Sequence, residues 1–265
     1  NMNSMFSGCN NLTTLNLGDK FDTSNVTSMN SMFSCYHLTS LNLGDKFDTS
    51  NVTNMNSMFS GCNNLTTLIL GDKFDTSNVT NMQSMFSNCA SLTSLDLSQW
   101  NISKVEKIKD MFHKCSKLEV VNVNGWNTNK VTNMEGVFAE CSHLVSIDGI
   151  ENWDVSNVTS LGSAQSNTGT FYNCTNLTEL DLNKWDTQSL CSIRSAFEGC
   201  YNIKLLNVSK WDTSNVRNMS LTFARCSFLD NLDVSKWDTS NVTSMNNMFN
   251  NCYLLRYLNI NNWNV

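Results

Sequence analysis

One phrase recurs ten times along these 265 residues, and its clearest copy is WDTSNVTSMNNMFNNCYLLRYL, from Trp237 to Leu258. The phenylalanine of the phrase falls at 6, 33, 59, 86, 112, 138, 171, 197, 223 and 249. The step is 26 or 27 residues everywhere except between Phe138 and Phe171, where it is 33. Repetition at such a period means a stack of like units, each burying its apolar edge against its neighbours. The first units are close to identical, with LGDKFDTSNVT at Leu17, Leu43 and Leu70, as expected from recent duplication.

Two periodicities alternate within a unit. Val26, Met29, Met32 and Phe33 lie at i, i+3, i+6 and i+7, which predicts one stripe of a short helix. Asp22, Ser24 and Asn25 stand just ahead of it, where such side chains cap a first turn. Leu41-Asn42-Leu43 then alternates with the period of a strand, too short to stand alone and expected to pair with its equivalents in neighbouring units. The expectation is an α/β solenoid of about ten repeats. Residues 1–265 read as a single repeat domain cut from a longer chain, with short parallel strands on one face and short helices on the other.

Two irregularities break the pattern. The second unit lacks one residue between Phe33 and Cys35. In the long unit, Gly162-Ser163-Ala164-Gln165-Ser166-Asn167-Thr168-Gly169 replaces the usual Met-x-x-Met, giving an insertion at 162–170; Gly149 is read as occupying an apolar strand position. Insertions in solenoids map to loops, some of which bind, although a merely tolerated loop is the simpler reading.

The 17 Lys and Arg against 23 Asp and Glu give a net charge of −6, which disfavours a nucleic-acid surface. No apolar run reaches the length of a membrane span and no signal peptide opens the chain, which begins inside a repeat. The absence of Pro, with Lys favoured over Arg, fits an AT-rich genome.

The consensus V-x-x-M-x-x-M-F-x-x-C-x-x-L-x-x-L-x-L-x-x-W-D resembles the BspA-like bacterial surface protein family of leucine-rich repeats. The resemblance runs from Met2-x-x-Met5-Phe6 to Trp263. It implies a leucine-rich-repeat-like solenoid at a cell surface or in a secreted protein, with roles in adhesion or host contact. It brings no catalytic residues, and the insertion departs from it.

Each chemically suggestive residue also has a structural reading. Ten of the eleven cysteines share one repeat position (Cys9, 35, 62, 89, 115, 141, 174, 200, 226 and 252) without the paired spacing of a zinc site. Stacked about 4.8 Å apart they meet the spacing of disulfides, but a ladder of buried thiols is the favoured expectation. Cys191 replaces a polar residue and is the candidate exposed thiol. The aromatic series Phe21, Phe47, Phe74, Trp100, Trp126, Trp153, Trp185, Trp211, Trp237 and Trp263 can form a sugar-binding stripe, though sealing the core is more economical. His37, His113 and His143 are too scattered to pair, and no catalytic triad, phosphate loop or zinc motif occurs, so an enzyme is not expected. The Asn-x-Ser/Thr triplets read as capping turns.

The outward strand positions form a row of amides and carboxylates. Asp96, Asp148, Asp181 and Asp233 are candidates for cationic partners or loosely held Ca²⁺, against plain solvation of an open face. Near the C-terminus Arg256 and Tyr257 join the row, residue types favoured at interfaces. Together these readings predict a non-enzymatic surface or secreted recognition module that needs no cofactor. It would bind host protein or glycan partners through its sheet face. The alternative is a structural spacer or intracellular interaction scaffold.

Overall fold

The computed structural model describes residues 1–18, 20–163 and 168–264. The chain winds into a solenoid whose first face is a row of two- or three-residue strands. These are β1 (Thr14–Asn16), β2 (Ser40–Asn42), β3 (Thr67–Ile69), β4 (Ser94–Asp96), β5 (Val120–Asn122) and β6 (Ser146–Asp148). The row continues through β8 (Glu179–Asp181), β10 (Leu205–Asn207), β11 (Asn231–Leu232) and β12 (Tyr257–Leu258). On a second face, β7 (Ser160–Gly162) pairs with β9 (Ser192–Ile193), flanked by single bridges such as Ser28 to Asn54 and Asn218 to Ser244. Every strand pair is parallel, and equivalent residues of successive coils lie side by side: Leu15 on Leu41, Leu41 on Leu68.

The helices expected after each Asp-Thr-Ser-Asn are absent among the described residues; apart from a single 3-10 turn at Ile150–Asn152, turns take their place. Asp22, Ser24 and Asn25 therefore cap no helix. The reason is a left-handed residue in the middle of the Met-x-x-Met segment. Ser4, Ser31, Ser57, Ser84, Asp110, Ser195, Leu221 and Asn247 all have φ between 53° and 60°. A second left-handed position precedes the cysteine, occupied by Asn88, Lys114, Glu140, Asn173, Arg225 and Asn251. An α-helix cannot pass through such residues. N–H groups close tight turns instead, Met58 onto Met55 and Cys62 onto Phe59, each at 3.2 Å. The N–H groups between them reach the next coil, Ser57 to the Gln83 carbonyl at 2.8 Å and Phe59 to Met85 at 2.9 Å. A spacing of three drifts about 60° per step around an α-helix but returns to the same side in successive three-residue turns.

The core is a set of side-chain columns. The phenylalanines from Phe6 to Phe249 stack with ring centroids 5.3–5.8 Å apart. Such offset contacts are worth about 0.5–1.5 kcal/mol each beyond burial. The Phe/Trp series forms a second column, with Trp211 and Trp237 6.0 Å apart and both buried, so these rings seal the core rather than line a sugar site. Indole N–H groups donate to the preceding coil, Trp126 to the Leu97 carbonyl at 2.9 Å and Trp211 to Leu182 at 3.1 Å.

The cysteine column consists of free thiols. From Cys35 onward each Sγ–H of the column donates to the phenylalanine carbonyl of the coil before it, as in Cys62 to Phe33 at 2.7 Å and Cys141 to Phe112 at 3.0 Å. Burial pushes the Cys35 and Cys252 thiols up to about 11 and those of Cys62 and Cys200 to about 12. Cys191 is exposed, as is Cys9.

Both irregularities have structural consequences. Gly149 does not occupy the inward strand position: it is an extra residue with φ 95°, and Ile150 behind it fills the core. In the same coil the buried Trp153 Nε1 has no acceptor among the described residues. The insertion leaves and rejoins the stack at Gly162 and Gly169, joined by an antiparallel bridge. A Cβ on Gly169 would lie 2.0 Å from the Ser195 carbonyl oxygen, so only glycine passes there. The middle of the insertion, 164–167, lies outside the described residues.

Two outcomes follow from these geometries. Leu221 holds its left-handed conformation (φ 60°) with an ill-suited side chain, so Leu221→Asn should raise the urea midpoint at an unchanged slope, a stability gain of about 1 kcal/mol at most. Iodoacetamide on the folded protein, followed by peptide mass spectrometry, should label Cys9 and Cys191 first and Cys252 more slowly. The interior thiols should react only after denaturation, because reaction needs an accessible thiolate.

Candidate functional site on the strand face

An outward strand residue does a structural task before any other. The Asn16 side-chain carbonyl accepts the Gly18 N–H at 2.9 Å, and Asn42, Asp96, Asn122, Asp181, Asp233 and Asn259 each make the same bond two residues on. This closes the turn that leaves the strand. Hydroxyl and N–H bonds from Ser98 hold the Asp96 carboxyl below the usual carboxylate range, and Ser235 does the same for Asp233. Asp22, Asp48 and Asp238 are lowered in the same way by Ser24, Ser50 and Ser240. Asp148 is followed by the extra Gly149 and makes no such bond among the described residues.

The strand row is not continuously hydrogen-bonded: its ladders run β1-β2-β3, β4-β5-β6, β8-β10 and β11-β12. Between β6 and β8, beside the extra Gly149 and the long coil, a cleft of about 430 Å³ opens. Asp148, Glu151, Glu179 and Asp181 line it, and no Lys or Arg does. Val145 and Leu205 form an apolar rim, 51% and 61% exposed. Among the described residues no three His, Cys, Asp or Glu side chains are placed to hold one metal ion. The negative charge is therefore spread along the cleft.

The structure thus brings together Asp148 and Asp181, and adds to them Glu151 and Glu179. Glu179 stands at the first strand position, where the earlier coils carry Thr, Ser or, on β5, Val120; that substitution and the extra Gly149 are the signals present in the sequence. Asp233 lies in an adjoining concavity of about 360 Å³ with Asp230 and Lys204, where β10 and β11 part; it shares Leu205 and Asn207 with the cleft. Asp96 stands apart on β4, and Arg256 and Tyr257 are exposed on the coil of β12. His37 and His143 each turn a ring nitrogen to a carbonyl of the preceding coil, and His113 meets Glu140 at 3.3 Å; none joins the cleft.

A pH dependence follows from the lowered carboxyls. Their folded-state values lie under the unfolded value of 3.8, so the stability they add is present above that pH and lost as pH falls through the folded values. The melting temperature should fall as the pH drops below about 4. Asp96→Asn and Asp233→Asn should weaken that fall while leaving the fold at neutral pH, because asparagine makes the same turn bond in other coils.

The family model described as "Mycoplasma protein of unknown function, DUF285" matches residues 1–42, 35–121, 119–169 and 165–265. No curated protein matches. Among solved structures, the chain is similar to a leucine-rich repeat protein from Bacteroides ovatus, at 16% identity over 89% of this chain and 69% of that one, with a TM-score of 0.39. It is also similar to one from Eubacterium ventriosum, at 14% identity over 96% and 80%, with a TM-score of 0.40. A third is the T. pallidum leucine-rich repeat protein, at 18% identity over 77% and 70%, with a TM-score of 0.35.

Proposed function

The chain belongs to the DUF285 family, with leucine-rich-type repeats of about 26 residues, and from that premise we propose that it is a non-enzymatic recognition module. Residues 1–265 act as one solenoid domain, carried at the cell surface or secreted, that holds protein or glycan partners against its strand face. The observation that carries this reading is the cleft between β6 and β8, with four carboxylates, an aliphatic rim and no basic side chain. Its complement is an extended, cationic segment with apolar side chains beside its lysines or arginines. Charge complementarity of this kind speeds and orients encounter and is weakened by salt. Asp233, Arg256 and Tyr257 offer further contacts toward the C-terminal coils, and Asp96 an outlying one. No described helix is long and apolar enough to cross a membrane.

One observation favours a second reading, an intracellular scaffold or spacer. The thiol column is built of S–H donors, a state that reducing compartments maintain. Protease shaving of intact cells carrying the full-length protein separates the two. Release of repeat peptides without lysis is the expected result, and protection until lysis overturns the surface assignment.

The cleft is tested on an array of basic and acidic peptides with the full chain. Basic peptides should be retained, and Asp148→Asn/Glu179→Gln/Asp181→Asn should weaken binding about tenfold or more at unchanged melting temperature. Equal retention by the triple variant removes the cleft from the proposal.

A further inference from the structure

A second concavity, of about 600 Å³, lies away from the strand face, at the corner where each coil turns around its cysteine. Its floor is made by the residues that follow successive cysteines: Asn63, Ala90, Ser116, Ser142 and Thr175. The same turn position carries Tyr36 one coil earlier and Tyr201 one coil later, each 47% exposed. A trough of five small or polar residues thus runs between two coils that carry a tyrosine at the same turn position. It is roughly 20 Å long by the spacing of stacked strands. Tyr36 is braced edge-on by His37 at 4.8 Å, and Tyr201 by Phe228 at 5.3 Å.

The polar groups of the trough are arranged by the stack. Thr175 Oγ1 donates to the Ser142 carbonyl at 2.9 Å, and Ser142 Oγ donates to the Ser116 carbonyl at 3.2 Å. Those hydroxyl protons are committed within the protein, which leaves oxygen lone pairs as acceptors. Donors come from the wall, where the side chains of Asn88, Lys114 and Asn173 stand on left-handed residues with the acceptor Glu140 among them. Lys114 and Glu140 approach to 3.8 Å, so the wall carries one charge of each sign and no net charge. Of the lining residues only Ala90 is apolar, so amides, hydroxyls and one ion pair supply the polar contacts.

We propose that this trough binds a neutral, extended oligosaccharide. Sugar hydroxyls both donate and accept, and they match a row of amides and hydroxyls better than either a cation or an anion would. The apolar faces of sugar rings fit exposed tyrosines at the two ends. The coil spacing is close to the length of one extended pyranose unit, so about five units span the trough. This site is independent of the acidic cleft and lies on a different face.

The test uses the full chain on an array of neutral six-unit glucans, mannans, galactans and N-acetylglucosamine oligomers, followed by calorimetry with shorter members of any retained series. Retention of at least one series is expected, with affinity rising about tenfold or more from two units to five. Ser142→Trp, which fills the trough, should lower it by at least about tenfold at unchanged melting temperature. Should that variant fail to fold, Asn88→Gly/Asn173→Gly, which keeps the left-handed backbone and removes both amides, should show the same loss. The cleft variant Asp148→Asn/Asp181→Asn should bind as the wild type does. Failure to retain any neutral oligosaccharide, or binding indifferent to the trough variants, overturns the proposal. So does a peptide ligand lost on Ser142→Trp, which would make the trough a protein-docking site.

Discussion

Everything in this molecule depends on the register of one coil upon the next. No coil has a core of its own: its two or three strand residues, tight turns and left-handed residues bury nothing until a neighbour covers them. Backbone N–H groups at alternate residues reach forward to the following coil, and this places each side chain on its equivalent. Phenylalanine then stacks on phenylalanine, the Cys62 thiol finds the Phe33 carbonyl, and Thr49 Oγ1 finds the Asp75 carbonyl at 2.7 Å. The Asn51 amide reaches the Ser24 carbonyl at 2.8 Å by the same rule. Many of the buried polar groups of a unit are satisfied in this way by its neighbours. A unit made alone would have neither a core nor partners for those groups.

That dependence explains what could be read from the sequence. Period, register, strand position and the inward set of Leu, Phe, Trp and Cys all follow from repetition, because in-register stacking turns a repeated letter into a column. The path between strands was not legible in the same way. Val26, Met29, Met32 and Phe33 satisfy a helical stripe and a series of three-residue turns almost equally. What decides between them is the backbone of one residue, Ser31 and its equivalents, at φ near +55°. Asp110, Ser195 and Leu221 at that position hide the signal that a row of glycines or asparagines would have given. The cleft was half legible. Asp148 and Asp181 read as two members of an even row, and only the extra Gly149 and the long coil part the strands between them.

Both proposed sites lie where the repetition fails, in one of two ways. At β6 and β8 the backbone itself departs from register, and a cleft opens with carboxylates on both sides. Along the cysteine corner the backbone stays regular, but the side chain after each cysteine shrinks for five coils between two tyrosines. The columns inside the stack cannot vary in this way, since each member must match two neighbours at van der Waals contact.

The outward strand position shows how a scaffold requirement and a recognition surface can share one residue. Most turns that leave a strand are closed by a side-chain oxygen that accepts an N–H two residues on, and both Asn and Asp supply it, whereas Ile69 on β3 cannot. The requirement fixes the acceptor but leaves the charge open. Asn16, Asn42 and Asn122 take the neutral form, whereas Asp96, Asp181 and Asp233 take the charged form. Exchange between the two keeps the turn bond, so the sign of the face can change while the backbone stays as it is. Asp148 is free even of that constraint, because the extra glycine removes the turn bond, and it stands at the cleft where the negative charge is most concentrated.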